Sequence, residues 1–228
     1  SRLLRGLEAE GLAVVETDPS DRRRRRAVLT ATGLAEKAEY DRLNDAMAAR
    51  MLGRAPRHHA ALLAAMDLVA VTLNADRIEI RIAEPDEPAA RACLAAYFRL
   101  LSERVPGVSA AVVPDPDPDA DLFRPPQGVF LLAWCDRLPV GCVSLRPFAP
   151  GVGEVKRLWV DPAARGLGLA RRLMRAVEDQ ARDLGYRRLN LDTNAALSEA
   201  IALYRRDGWT ETAPYTGFPA THWFTKPL

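Results

Sequence analysis

The chain has 228 residues with 48% apolar content, which suits one large domain or a domain and a half around a real core. Its composition is that of a globular, soluble protein, and its formal net charge is only +2. No apolar run approaches the roughly 20 residues that span a bilayer, and the N-terminus lacks the apolar core of a signal peptide. We therefore expect a cytoplasmic protein.

The cysteines and histidines do not indicate a metal site. The three cysteines show no Cys-x-x-Cys spacing, and the three histidines form no ligand pattern with them. We expect reduced thiols in the core, imidazoles on the surface and no bound metal.

The chain begins with a helical pattern that ends at Gly11. A strand is predicted from Leu12 to Thr17, a turn over residues 18–21 and a returning strand from Arg26 to Thr30. The tip of this hairpin carries five consecutive arginines, residues 22–26.

Three motifs here resemble the recognition-helix end and wing of MarR-type winged-helix regulators: Leu-Glu-x-Glu-Gly-Leu, Asp-Pro-x-Asp-Arg-Arg and Val-Leu-Thr-x-x-Gly. The resemblance implies that Arg23 enters the minor groove of DNA and that Asp21 orients it. Arginine gains there from the enhanced negative potential of a narrow groove. The alternative is a solvated arginine run on a mobile loop. DNA binding is expected only with the earlier helices of such a domain, because a wing alone reads no bases.

Two helices are predicted next, over residues 32–51 and 59–73, each with an apolar face. In MarR-like proteins such helices build a homodimer, and the alternative is a helical hairpin that packs on its neighbour. We predict a boundary after them. Residues 1–75 then form a partial winged-helix region, a remnant with a helical hairpin, and residues 76–228 form a second domain.

The second domain is predicted to open with a strand over residues 78–82 and an amphipathic helix over 87–105. A proline-rich loop covers 114–126, because prolines lack the N–H that strand pairing needs. Three strands follow, predicted over residues 129–134, 139–145 and 152–160, and then a helix that begins at residue 169. After it come a strand over 188–192, a helix over 197–206 and two terminal strands over 209–215 and 222–226.

A glycine-bearing turn, residues 165–170, joins the strand at 152–160 to the following helix. Backbone N–H groups at such a helix start form an anion site. A P-loop is excluded because Lys-Ser/Thr does not follow the second glycine, and a dinucleotide fingerprint needs a small residue where Arg171 stands. The remaining pattern, Arg-x-x-Gly-x-Ala, resembles the pyrophosphate-binding signature of the GNAT acetyltransferase superfamily.

The element order from residue 76 is also that of GNAT proteins whose second helix is reduced to a loop. The resemblance implies an α/β fold with a mixed, mostly antiparallel sheet and flanking helices. It implies acetyl-CoA as the cofactor and a strand, 152–160, that splays from its neighbour. The backbone N–H groups of six residues would bind the pyrophosphate: Gly166, Leu167, Gly168, Leu169, Ala170 and Arg171.

Other residues take their expected roles from the same resemblance. Arg165 adds a side-chain charge near the pyrophosphate. The pantetheine arm and the thioester oxygen would meet the backbone of Leu158, Trp159 and Val160, whose side chains also suit a core. Asn194 would contact the cofactor as part of the second family signature.

Two residues are candidates for proton transfer. The motif Ala-Ile-Ala-Leu-Tyr-Arg-Arg-Asp-Gly-Trp resembles the family signature in which the tyrosine, here Tyr204, protonates the departing thiolate. A tyrosine on an apolar helical face also fits a core position. Glu154 is the candidate base for an amine that arrives protonated. On an unbroken strand it shares a face with Lys156 and residues 158 and 160; the alternative is a surface ion pair.

The acceptor is predicted as a small amine or amino acid. Lys156, Arg157 and Arg146 are candidates for binding a substrate carboxylate. Tyr215 and two further residues of the terminal strands, His222 and Trp223, are expected to line the acceptor pocket. The predicted function is acetyl-CoA-dependent N-acetylation, fused to a MarR-like transcriptional regulator. Protein lysine acetylation and a non-catalytic, acyl-CoA-sensing DNA-binding regulator are the alternatives.

Overall fold

The computed structural model describes residues 2–18, 21, 23–109, 117 and 119–228. The chain divides into two compact units, residues 1–64 and residues 65–228. The dividing point lies inside a helix, His59–Leu73, whereas the predicted domain boundary follows that helix at residues 75 and 76. The assignment of separate functions to the two domains stays a prediction.

The first unit contains α1 (Arg2–Ala9), the strands β1 (Ala13–Thr17) and β2 (Arg25–Leu29), and α2 (Ala31–Gly53). The strands form an antiparallel hairpin whose register runs from Ala13 opposite Leu29 to Thr17 opposite Arg25. Two residues of the predicted turn, 19 and 20, and the first arginine of the predicted tip, residue 22, lie outside the described part of the chain.

The Thr-x-x-Gly motif has a structural reason at the start of α2. The Thr30 hydroxyl donates to the Gly11 carbonyl at 2.6 Å and accepts from the Gly33 N–H at 3.0 Å, which caps the helix. A Cβ at Gly33 would lie 1.9 Å from the Leu12 carbonyl oxygen, so only glycine fits there. The motif thus joins the hairpin to the helix that follows it.

The second unit follows from within α3 (His59–Leu73). Its helices are α4 (Pro88–Arg104), α5 (Leu169–Asp183) and α6 (Ser198–Arg206). The strands are β3 (Glu79–Ile82), β4 (Val129–Cys135), β5 (Leu138–Ala149), β6 (Val152–Val160), β7 (Arg188–Thr193), β8 (Thr210–Glu211) and β9 (His222–Pro227).

These strands form one seven-stranded sheet in the order β3-β4-β5-β6-β7-β9-β8. Every neighbouring pair is antiparallel except β6 and β7. The predicted mixed, mostly antiparallel sheet is therefore confirmed. Between α4 and β4 the described residues form only a short 3-10 turn, Ala120–Phe123, while residues 110–116 and 118 of the predicted loop lie outside the description.

One predicted strand is much shorter than expected. The strand predicted over residues 209–215 is limited to β8, with one further bond from the Thr212 N–H to the Trp223 carbonyl. Pro214 has no N–H to continue the ladder, which explains why pairing stops. The segment from there to β9 is instead a loop.

The two faces of the sheet carry separate cores. Phe130, Leu132 and Trp159 pack with apolar residues of α4. Leu131 and Val155 belong to a second cluster, which includes the inner side of α5. Alternate strand positions therefore point to opposite faces, as the pleat requires.

A β-bulge in β6 changes this alternation. The pairing of β5 with β6 shifts register between Cys142 and Ser144, and Arg157 adopts a left-handed φ of 59°. Beyond the bulge, Leu158 and Val160 pack against the α5-side cluster, whereas Trp159 lies in the α4-side cluster. The common face expected on an unbroken strand is thus wrong past Lys156, because the extra residue inverts the pattern.

The strands β6 and β7 pair over only a short distance. Residues Val152–Glu154 pair in parallel with Arg188–Asn190, and the two strands then separate. The second half of β6 keeps β5 on one edge and has no strand partner on the other. The splay that the family resemblance implies is present, and it opens the sheet where the site lies.

Candidate functional site

A cavity of about 630 Å³ lies at the opening between β6 and β7. Its walls come from α4, the end of β6, the glycine turn, the start of α5 and α6. The predicted cofactor residues that line it are Leu158, Val160, Arg165, Gly166, Gly168, Leu169, Ala170 and Arg171.

The glycine turn is shaped to present backbone N–H groups. Gly166 and Gly168 have φ values of 79° and 75°, a conformation that residues with a side chain rarely adopt. The Arg172 N–H makes the first bond of α5, to the Gly168 carbonyl at 3.2 Å. The N–H groups before it are those that a helix leaves without an internal acceptor, so they suit an anion.

Of the residues predicted to bind the cofactor through their backbone, two do not line this cavity with their side chains. Trp159 is buried in the α4-side core. Leu167 is 39% exposed at the turn. Both predictions concerned backbone groups, which these side-chain positions leave untested.

Four arginines surround the cavity. Arg171 pairs with Asp207 at 2.9 Å and Arg104 pairs with Glu199 at 2.9 Å. Arg165 donates to the Val160 carbonyl at 3.2 Å, and no described carboxylate pairs with it or with Arg206. This excess of positive charge suits a ligand that carries phosphates.

A second cavity of about 310 Å³ adjoins the first and shares four wall residues with it: Tyr97, Leu158, Leu197 and Ala200. Tyr204 lines this second cavity and not the first. Its ring lies 5.6 Å from that of Phe224 and 6.1 Å from that of Trp209, centroid to centroid. Tyr204 is therefore both part of the core and a wall of the cleft.

Burial raises the pKa of Tyr204 well above its usual value, and nearby Tyr97 and Asp192 add to the shift. The phenol is protonated at neutral pH, as in an ordinary tyrosine, and the raised pKa makes it a weaker acid than a solvated one. Tyr97, which the sequence placed only on the apolar face of a helix, lines both cavities. Burial and the Asp192 charge raise its pKa as well.

Asn194 lines the second cavity, and both polar atoms of its side-chain amide form hydrogen bonds within the protein. Its Nδ2 donates to the Pro219 carbonyl at 2.5 Å, and its Oδ1 accepts from the Ala196 N–H at 2.9 Å. It ties the end of β7 to the loop before β9. Its predicted cofactor contact stays a prediction.

Glu154 is fully buried and held by two cations. Arg146 Nε donates to its Oε2 at 2.8 Å, and Lys156 Nζ lies 3.2 Å from its Oε1. Glu154 does not line either cavity, so a base role requires a proton path past its neighbours.

Two carboxylates line the second cavity: Asp119, in the segment before β4, and Asp192, at the end of β7. Of these, Asp192 is the better held by protein donors. It accepts from Lys156 Nζ at 2.5 Å and from the Thr216 hydroxyl at 2.9 Å. Sequence reasoning missed it, although its position two residues before Asn194, at the end of a strand, was a usable signal.

The residues near the C-terminus that line the second cavity are not the ones that the sequence predicted. Pro219 and Ala220 line the second cavity, whereas Tyr215, His222 and Trp223 line neither one. Trp223 Nε1 instead donates to the Thr216 hydroxyl at 2.7 Å. Burial, with the Glu154 and Asp192 charges, raises the pKa of Tyr215.

The predicted DNA-binding residues lie on the hairpin of the first unit. The Arg23 N–H donates to Asp21 Oδ1 at 3.0 Å, and Arg24 Nε lies 3.5 Å from Asp21 Oδ2. Asp21 therefore contacts the backbone of Arg23 and the side chain of Arg24. Arg23 itself is exposed.

A model of the acetyltransferase (GNAT) family matches residues 94–209, just over half of the chain. The chain belongs to the GNAT acetyltransferase family. As a GNAT acetyltransferase, the protein acts with acetyl-CoA. The match includes the glycine turn and Tyr204 and leaves the predicted MarR-like region, residues 1–75, outside.

Individual proteins agree with this assignment. The chain is similar to an IAA acetyltransferase of Azospirillum brasilense, 36% identical over 114 residues that cover 48% of this chain and 74% of that protein. It is 39% identical to an uncharacterised N-acetyltransferase of Schizosaccharomyces pombe over 95 residues, which cover 41% of this chain and 58% of that protein. An acetyltransferase structure from Streptococcus agalactiae shares the fold, with a TM-score of 0.56 and 19% identity over 66% of this chain and 98% of that one.

Neither a metal site nor a membrane span was found in the described parts of this GNAT protein. Within residues 2–18, 21, 23–109, 117 and 119–228, no group of histidines, cysteines and carboxylates is arranged to hold a metal ion. No helix in those ranges is long and apolar enough to cross a membrane.

Replacement of Gly168 by alanine tests the glycine turn. A Cβ there meets no atom within 4 Å, so the cost comes from the left-handed φ of 75°. That conformation costs a residue with a side chain about 1–2 kcal/mol, so we expect the dissociation constant for acetyl-CoA, measured by isothermal titration calorimetry, to rise about tenfold.

Gly151→Ala is the matched control. Gly151 has a φ of 71° and equally open space, but it lies in the turn between β5 and β6. It should lower stability to a similar degree and leave acetyl-CoA affinity unchanged. Unchanged affinity in Gly168→Ala would contradict the assigned role of the turn.

Proposed function

We propose that this GNAT protein transfers the acetyl group of acetyl-CoA to the amine of a small molecule. The observation that carries the proposal is the junction of two cavities. One contains the glycine turn, the other contains Tyr204, and they share Tyr97, Leu158, Leu197 and Ala200. A donor bound in the first cavity and an amine in the second would meet at this shared wall.

The residues of the chain divide the chemistry between them. The N–H groups of the glycine turn and the charge of Arg165 bind the pyrophosphate of the donor. The free edge of β6, at Leu158 to Val160, offers its backbone groups to the pantetheine arm. Both sets of contacts place the thioester at the junction, and a fixed approach of the amine lowers the barrier to attack.

Tyr204 is proposed as the acid that protonates the departing thiolate. Its place on the wall of the second cavity supports this role, and a tyrosine phenol is protonated at neutral pH. Glu154 is proposed as the base, reached through Lys156 and Asp192, since Lys156 Nζ contacts both carboxylates. Asp192 lines the second cavity, so it is proposed to contact the acceptor.

Replacement of Tyr204 by phenylalanine should slow turnover and leave donor binding intact. Loss of a general acid typically costs on the order of 100-fold in rate, so kcat in a thiol-release assay should fall by about that factor. The dissociation constant for acetyl-CoA should not change, because Tyr204 does not line the first cavity.

Tyr186→Phe is the control, since the Tyr186 hydroxyl donates to the Gln127 carbonyl at 2.6 Å and lines neither cavity. It should leave kcat unchanged. An unaltered kcat in Tyr204→Phe would rule out the acid role. Binding of acetyl-CoA without acetylation of any amine would favour the acyl-CoA-sensing regulator.

We also propose that residues 1–75 belong to a MarR-like winged-helix domain, with Arg23 as its minor-groove residue. The capped junction of hairpin and α2 and the exposed Arg23 support it. In a chain that includes a complete winged-helix domain, Arg23→Ala should weaken binding to an A·T-rich duplex in fluorescence anisotropy. Equal binding by the chain with Arg23 and by its Arg23→Ala variant would refute the assignment.

The N-terminal helices are further proposed to form a homodimer. Tyr40, Leu43, Met47 and Met51 recur on one face of α2 and are 69%, 50%, 61% and 65% exposed. A second copy that covers this face would remove a large apolar surface from water.

Light scattering after size exclusion tests the dimer. The chain has a mass of 25.1 kDa, and we expect twice that mass for the native protein. Met47→Glu should give the monomer mass, because a charge would be buried. Ala49→Glu, on the opposite face of α2, should stay dimeric. A monomeric native protein would exclude the dimer.

A further inference from the structure

The three cations around the second cavity are already engaged by carboxylates. Arg146 pairs with Glu154 at 2.8 Å and lies 3.7 Å from Asp119. Lys156 lies between Glu154 and Asp192, at 3.2 Å and 2.5 Å. Each of these two cations therefore meets two anions.

Arg157 is engaged in the same way. Its Nη1 lies 2.8 Å from Asp117 Oδ2, and its guanidinium stacks over the ring of Phe123 at 4.2 Å from the centroid. Both partners of the ion pair are largely buried, with side chains 12% and 6% exposed. A bound substrate would have to displace Asp117 to reach this guanidinium.

The described charges of this region sum to one negative charge. The cations are Arg146, Lys156 and Arg157, and the anions are Asp117, Asp119, Glu154 and Asp192. The balance thus favours a positively charged ligand and disfavours a carboxylate.

We propose, on the basis of the proposed function, that the acceptor is a cationic amine without a carboxylate beside it, and that Asp192 binds its ammonium group. Asp192 lines the cavity with a side chain 16% exposed. Its Oδ1 accepts from Lys156 and its Oδ2 from Thr216, and a carboxylate can accept about four hydrogen bonds.

The rest of the cavity fits an apolar body on such an amine. Its wall is mostly hydrophobic and aromatic, with Tyr97, Phe98, Leu101, Val105, Phe123 and Leu197 among the lining residues. An aryl or alkyl chain would bury its surface there while the ammonium group meets Asp192. The expectation that Arg146, Lys156 and Arg157 bind a substrate carboxylate is disfavoured, because these cations already neutralise protein carboxylates.

Matched pairs of acceptors test the proposal on the full-length protein. Tyramine is compared with tyrosine, histamine with histidine and cadaverine with lysine, with acetyl-CoA as donor and mass spectrometry of the acetylated product. We expect kcat/KM for the amine to exceed that for the amino acid of each pair by at least about tenfold, because one unfavourable charge contact at close range has at least that effect.

The outcomes separate this proposal from the proposed function. Acetylation of the amino acids as fast as the amines, or faster, overturns the acceptor class and leaves small-molecule N-acetylation standing. No acetylation of any of the six compounds, with acetyl-CoA bound, overturns both. Acetylation of the amines alone supports both.

Substitution of Asp192 tests its part directly. Asp192→Asn should lower kcat/KM for the preferred amine about tenfold, chiefly through KM, and reduce the preference over the paired amino acid. Asp192→Glu should retain the preference, since it keeps the charge. An unchanged preference in Asp192→Asn overturns the assignment.

The matched control is Asp179→Asn, because Asp179 pairs with Arg182 at 2.8 Å and lies on the exposed side of α5. It should leave all rates unchanged. All four tryptophans lie between residues 134 and 223, so their fluorescence reports whether each variant keeps the acetyltransferase fold. A folded Asp192→Asn protein that binds acetyl-CoA normally makes its kinetics interpretable.

Discussion

The separation of β6 from β7 is the constraint on which the site depends. The strands pair over Val152–Glu154 and Arg188–Asn190 and then diverge, which leaves one edge of β6 without a strand partner. Unpaired backbone groups away from water are costly, so this edge suits a ligand that carries its own amide groups. The glycine turn and the start of α5 lie at the end of the same strand, and α6 brings Tyr204 to the other side of the opening.

The charged side chains next to the second cavity form ion pairs with one another, which stabilises the fold. Glu154 is fully buried, and removal of Arg146 or Lys156 would leave its buried charge with one cation in place of two. Lys156 extends the network to Asp192, and Thr216 extends it to Trp223 in β9. The network therefore links β5, β6, β7 and the terminal loop around the acceptor cavity. Because the described charges around this cavity sum to one negative charge, we expect a positively charged acceptor.

Local sequence patterns predicted most of this fold and the donor half of the site. The turn at residues 165–170 depends on glycines and a helix start that follow one another in the chain, so local sequence was enough to predict its position. The acceptor half depends on the bulge at Arg157 and on ion pairs between residues far apart in sequence, such as Lys156 with Asp192. The end of a strand marks Asp192 as a candidate, but no local pattern shows that its carboxylate faces a cavity. For the same reason Tyr97 was missed, and three residues near the terminal strands were predicted to line a pocket that they do not line.

Hydrogen–deuterium exchange with and without coenzyme A tests the central claim most directly. If the free edge of β6 and the glycine turn hold the cofactor, peptides that contain residues 155–160 and 166–171 should exchange more slowly when it is bound. The hairpin at Ala13–Leu29 provides the internal comparison and should be unaffected. Protection elsewhere, with no change in these two segments, would contradict the account.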